Sequence, residues 1–141
     1  MERLFIATDH GAFEQKEELK KFLSENYEVI DLGTNSSDSV NYPDYGKKIA
    51  EEVLRSNGRG IALCGSGIGI SIQVNRFKGI RGALCRSEED AKMSRLHNNS
   101  NILCLGGRST PIDELKKIVT VWLATDFEGG RHQARIDSLD N

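Results

Sequence analysis

Five short apolar runs set the strongest limit on what this chain can fold into: Leu4 to Ala7, Val29 to Leu32, Ile61 to Cys64, Gly82 to Cys85 and Ile102 to Leu105. In each run the apolar residues are continuous. A strand with one wet face alternates apolar and polar residues, whereas a strand covered on both faces does not. Turn residues and then a helical pattern follow each run. Ile112, Leu115, Ile118, Val119, Trp122 and Leu123 share one helical face, and this is the clearest amphipathic helix. Tyr45, Ile49, Val53 and Leu54 form a second stripe, and Leu19, Phe22 and Leu23 a third. Pro43 and Pro111 sit near helix starts, where a missing N–H costs little. Shorter helices are expected after Cys64 and after Ser87. The order βαβαβαβαβα predicts an α/β fold: a three-layer αβα sandwich on a five-stranded parallel sheet, doubly wound and Rossmann-like. At 141 residues the chain fits one domain, spanning 1–141, with a tail from about residue 127.

Charge narrows the function classes. Nineteen Lys and Arg against 21 Asp and Glu give a net charge of −2, which excludes a bulk-basic nucleic-acid binder. An apolar content of 38% before glycine is counted excludes a low-hydrophobicity disordered chain. Cys64, Cys85 and Cys104 are odd in number and lack metal-ligand spacing, so neither zinc nor a disulfide framework is expected. A reducing cytoplasm is the expected location. The apolar run at Leu4 to Ala7 is too short for a signal peptide, and no run approaches membrane-spanning length.

In doubly wound sheets, ligands bind beyond the carboxyl ends of the strands. The third run ends in Cys64-Gly65-Ser66-Gly67-Ile68-Gly69-Ile70-Ser71, with three glycines at alternate positions and a helix expected from Ile68 or Gly69. Successive amides at such a turn suit an anion. The spacing is neither a Walker-type loop nor GxGxxG, which makes a dinucleotide the weaker ligand. Cys64 has two readings: a small buried residue at a strand end, or a thiol activated by the helix start. Asp9 and His10 follow the first strand and can bind a polar substrate or move protons. His97 and Asn98 precede the last strand, and we place the His10 and His97 loops on one edge of the sheet. Arg131 and Arg135 are four residues apart, so on a helix they share a face fit for a phosphate. The tail carries no long apolar stripe, so it is expected to find its order by docking on a partner subunit.

Taken together, these motifs resemble the B-type ribose-5-phosphate isomerases, a family that includes allose- and galactose-6-phosphate isomerases. The residues carrying the resemblance are Asp9-His10-Gly11, Tyr42-Pro43, Cys64 through Gly69, Asn75, Arg95-Leu96-His97-Asn98, Gly107-Arg108 and Glu128 through Arg135. The match runs in order from Leu4 to Arg135. The resemblance implies interconversion of ribose 5-phosphate and ribulose 5-phosphate, in the non-oxidative pentose phosphate pathway, without metal or organic cofactor. It also implies a homodimer, or a dimer of dimers, with active sites shared between subunits. Cys64 matches the general base and Ser66 a hydroxyl that helps exchange protons on the sugar oxygens. The amides from Gly65 through Gly67, Ile68 and Gly69 to Ile70 match an anion hole for the enediolate. His97 matches the ring-opening residue, Asp9 and Asn98 match polar contacts to the substrate, and Tyr42 lies beside the sugar. His10, Arg108, Arg131 and Arg135 match the phosphate clamp.

Three positions depart from the pattern. Ser66 stands where many members have Thr, which keeps the hydroxyl. Asn41 stands where many have Asp, which removes a charge. Ile70 stands where some use a Glu base, which leaves Cys64 as the base. Two alternatives remain beside the pentose phosphate reading: a hexose-6-phosphate isomerase, and a non-catalytic binding module for a nucleotide or sugar phosphate.

Overall fold

In a computed structural model covering residues 1–141, each apolar run forms a strand: β1 (Arg3–Thr8), β2 (Glu28–Asp31), β3 (Arg59–Cys64), β4 (Gly82–Leu84) and β5 (Ile102–Gly106). All pairings are parallel and the strand order is β2-β1-β3-β5-β4. The helices are α1 (Phe13–Leu23), α2 (Tyr42–Ser56), α3 (Ile68–Val74), α4 (Glu88–Leu96), α5 (Ile112–Ala124) and α6 (Arg131–Asp137), with a 3-10 turn at His10–Ala12.

Successive strand residues point to opposite faces of the sheet, and here both faces are dry. Leu4, Ile6, Ile61, Leu63, Leu103 and Leu105 pack with the buried sides of α1, α4 and α5, including Leu115, Ile118 and Trp122. Phe5, Ala7, Ala62, Cys64, Ile102 and Cys104 pack with Ile49, Val53, Ile70 and Val74 from α2 and α3. The expected αβα sandwich therefore stands. Burial is complete in β5 and beyond the first residue of β1 and of β3, whereas β2 and β4, at the edges, are half-buried over most of their length.

Two sequence expectations need correction. Phe22 was assigned to the buried stripe of α1, but it is 40% exposed, and Lys16 is fully buried instead. The Lys16 ammonium donates to both carboxylate oxygens of Asp31 at the end of β2, at 2.7 and 2.6 Å, so the stem fills the stripe while the charge is paired. The tail, expected to dock on a partner subunit, is a helix with contacts to its own chain. α6 forms on its own chain, with Glu128 N donating to Leu96 O and Gly79 N donating to Asp140. Finally, His10 and His97 do not share a sheet edge. His10 follows β1 at the carboxyl edge, whereas His97 ends α4 and precedes β5 at the amino edge.

Candidate active site

The connection after β1 runs through α1 to β2 on one side of the sheet, and the connection after β3 runs through α3 to β4 on the other. The crevice between the carboxyl ends of β1 and β3 is the topological switch point of a doubly wound sheet. Thr8 pairs with Leu63, so Asp9 and Cys64 emerge side by side. A cleft of about 520 Å³ opens here, lined by Asp9, Tyr42, Cys64, Gly65, Ser66, Gly69, Arg108 and Ser109. It brings together seven of the residues singled out from sequence and adds Ser109.

The loop after β3 is shaped by its glycines. Gly67 has φ +80°, and a Cβ there would lie 2.6 Å from Leu84 Cδ1 and 2.8 Å from the Leu105 carbonyl carbon, so no side chain fits without displacing backbone. Its amide donates to Cys64 Sγ at 3.1 Å, a donor suited to negative charge on the sulfur. The Ile68 amide donates to Ser66 Oγ at 3.2 Å. Two of the amides expected to form an anion hole thus have partners within the loop. Those of Gly65 and Ser66 donate to no group of the chain, and those of Gly69 and Ile70 lie in the first turn of α3, without intrahelical acceptors. The loop is tied to the β5 side by Gly107 N donating to Cys64 O and Arg108 N donating to Gly65 O, both at 2.9 Å. These bonds hold Arg108 at the rim.

Asp9 caps the 3-10 turn by accepting from Gly11 N at 2.8 Å, which leaves its second oxygen for the cleft. His10 Nδ1 lies 3.0 Å from Val40 N and 3.1 Å from Val40 O. A neutral ring accepts from the Val40 amide and turns Nε2–H outward, and a protonated ring donates to the carbonyl instead. Tyr42 lies against Gly69, where a Cβ would sit 2.8 Å from the phenol ring. The other two thiols are unsuited to act as bases. Burial pushes Cys85 up to about 11 and raises Cys104 further.

The remaining sequence candidates form a second group at the amino edge. His97 and Asn98 close α4, and Arg131 and Arg135 are exposed on α6. The turn is held by Arg95, which donates to Asn99 Oδ1, Ser100 O and Thr125 O. The register Gly60↔Ile102 to Cys64↔Gly106 puts roughly 13 Å of packed strand between this edge and the other. Sequence reasoning missed two residues here. His132 is buried with its ring stacked on His97, centroids 4.4 Å apart and planes 20° apart, and Glu128 Oε2 lies 3.9 Å from His97 Nε2. Their i+4 spacing carried a signal that attention to the arginines obscured. The ligand atoms of His97, Glu128 and His132 lie within 4.8 Å of one another, as in a metal site. The stacking opposes that use. A metal shared by two imidazoles lies in both ring planes about 2 Å from each nitrogen, and planes this nearly parallel meet much farther out.

A model of the Ribose/Galactose Isomerase family matches residues 4–139. The chain is 40% identical over 141 residues to ribose-5-phosphate isomerase B of Escherichia coli, covering 99% of this chain and 95% of that protein. Among solved structures, Clostridium thermocellum ribose-5-phosphate isomerase B superposes with a TM-score of 0.96 at 46% identity, covering 98% of this chain and 95% of that one. The Mycoplasma genitalium ribose-5-phosphate isomerase B with bound ribulose-5-phosphate superposes with a TM-score of 0.93 at 38% identity, covering 97% and 93%.

Proposed function

The chain belongs to the Ribose/Galactose Isomerase family, and from that premise we propose that it interconverts ribose 5-phosphate and ribulose 5-phosphate, with Cys64 as the base. The observation that carries this reading is the cleft at the switch point, where a thiol with an amide donor at 3.1 Å faces unpaired backbone N–H groups. The Cys64 thiolate takes the C2 proton of the open-chain aldose. The electrons move onto O1, giving a cis-enediolate held by the Gly65 and Ser66 amides. The thiol returns the proton to C1, while Ser66 assists the transfer from O2 to O1 that completes the ketose. Asp9 and Tyr42 hold the sugar, and His10 and Arg108 hold its phosphate from the same edge. No step needs a metal ion or an organic cofactor.

His97, Asn98, Arg131 and Arg135 serve the same reaction from a second copy of the chain. The filled core between the two edges supports this assignment, since one small substrate cannot touch both edges of one sheet. The apolar side chains beside the cleft support it too: Ile68 is 45% and Ile72 54% exposed, one turn apart on α3. A twofold dimer then holds two sites, each built from both chains.

Incubation with ribose 5-phosphate alone, followed by absorbance of the ketose, tests the activity. Ketose formation in proportion to enzyme is expected. No ketose at high enzyme concentration overturns the reading in favour of a sugar-phosphate binding module. Allose and galactose 6-phosphates run in parallel decide between pentose and hexose.

A further inference from the structure

The stacked pair His97 and His132 shows a division of labour between two imidazoles. His97 is half-exposed and free to meet a ligand. His132 is 6% exposed, and its Nε2 is buried with no hydrogen-bond partner. Buried polar atoms are nearly always paired, so an imidazole kept here without a partner for that nitrogen is not retained for hydrogen bonding there. What it does offer is its face, against the ring of His97 at 4.4 Å.

We propose that His132 is a positioning residue: its buried ring is a flat platform that fixes the plane of the His97 imidazole for opening the cyclic sugar. The inference rests on the ring-opening role given to His97 above. The platform is itself anchored, since His132 N donates to Gly129 O and Glu128 N to Leu96 O, which fasten the start of α6 to the end of α4. The groups facing it are His97, Glu128, Arg131 and Arg135. Burial first, and then the positive charge of His97, Arg131 and Arg135, hold the pKa of His132 below the ordinary imidazole value, against the pull of Glu128.

Ring opening has its own kinetic signature. An enzyme that opens the ring takes cyclic ribose 5-phosphate directly, and its forward rate rises in proportion to enzyme. An enzyme that cannot open it consumes only free aldehyde. Its forward rate then levels off, as enzyme is added, at the spontaneous rate of ring opening. The reverse reaction starts from open-chain ribulose 5-phosphate and keeps rising.

The test compares His132→Leu, which fills the space without a flat face, with His132→Phe, which keeps the face and discards the nitrogens. His97→Asn is the reference, and thermal melts monitor folding. We expect His132→Leu to level off as His97→Asn does, with a loss on the order of tenfold to a hundredfold at high enzyme. We expect His132→Phe to stay proportional. Proportional behaviour in both, or levelling in both, overturns the platform role. If His132→Leu does not fold, levelling in His132→Phe alone overturns it, and proportionality supports it. If His97→Asn itself stays proportional, the ring-opening role falls instead, and the two failures are thereby distinguished.

Discussion

The backbone amide of Gly67 and the sulfur of Cys64 are joined by a 3.1 Å hydrogen bond that folds the loop back onto the thiol. In the proposed mechanism this bond orients the base and supplies a donor to its charged form. Cys64→Ala should lower turnover by on the order of 10³-fold or more while phosphate binding persists. An alanine variant within tenfold of the parent refutes the assignment. Iodoacetamide should label one thiol, found by mass spectrometry at Cys64, because of the three buried cysteines it alone lines the cleft, and burial raises the pKa of Cys85 and Cys104.

Gly67→Ala should damage both fold and site. Its positive φ and the backbone of Leu105 leave no room for a methyl group. The strain is on the order of 1–3 kcal/mol, and relief by shifting the loop takes the Gly67 amide away from sulfur. A lowered midpoint in urea with a larger loss of kcat than of substrate affinity is the expected result. A parent-like kcat would show that the loop geometry is not needed.

The division of the site between two sheet edges predicts complementation. Cys64→Ala and His97→Asn should each be severely impaired alone. In a mixed dimer one site collects both defects and the other neither. Random reassortment makes about half the dimers mixed, so refolding the two together should restore roughly a quarter of parental activity. Cys64→Ala with Arg135→Ala should behave alike. If no activity returns, with mixed dimers verified by native mass spectrometry, all the groups act within one chain.

The buried pair of Lys16 and Asp31 predicts a pH dependence of stability. Burial alone would raise the pKa of Asp31. The hydrogen bonds from Lys16, the Gly33 amide and Lys20 outweigh it, so the folded pKa lies below the ordinary aspartate value. A depressed carboxylate stabilises the fold above its unfolded pKa, and that contribution is lost as pH falls through the folded one. Asp31→Asn, which leaves Lys16 buried without its counter-charge, should cost roughly 3–5 kcal/mol at neutral pH. The gap to the parent should stay level down to about pH 5 and narrow below about pH 4. A gap that is unchanged at pH 3 would contradict the pairing.

Dialysis against a strong chelator should leave turnover unchanged, since the proposed mechanism meets the enediolate charge with amides. A loss restored by zinc, magnesium or manganese would overturn that part of the mechanism.

The strands and the gathering of Asp9, Cys64 and the glycine loop at the carboxyl edge were legible because both rest on local pattern. Continuous apolar runs specify doubly covered strands, and alternate glycines specify the loop beyond Cys64. The insertion of β5 between β3 and β4 was not legible, because strand order depends on packing across the sheet rather than on neighbours in sequence. Lys16 was overlooked because a lysine in a helix reads as surface until Asp31 is brought to it. The error over His97 was avoidable. In a parallel sheet every loop before a strand lies at the amino edge, so a residue preceding β5 could never have stood beside one that follows β1.

The two-edged arrangement also ties turnover to concentration. Under the proposed dimer, a lone chain carries a thiol half and an imidazole half at opposite edges of the sheet, and neither works without a counterpart. On dilution below the dissociation constant of the pair, total activity should fall with the square of the subunit concentration, so specific activity should fall in proportion to it rather than hold constant. Each chain is then an inactive component until it meets its copy.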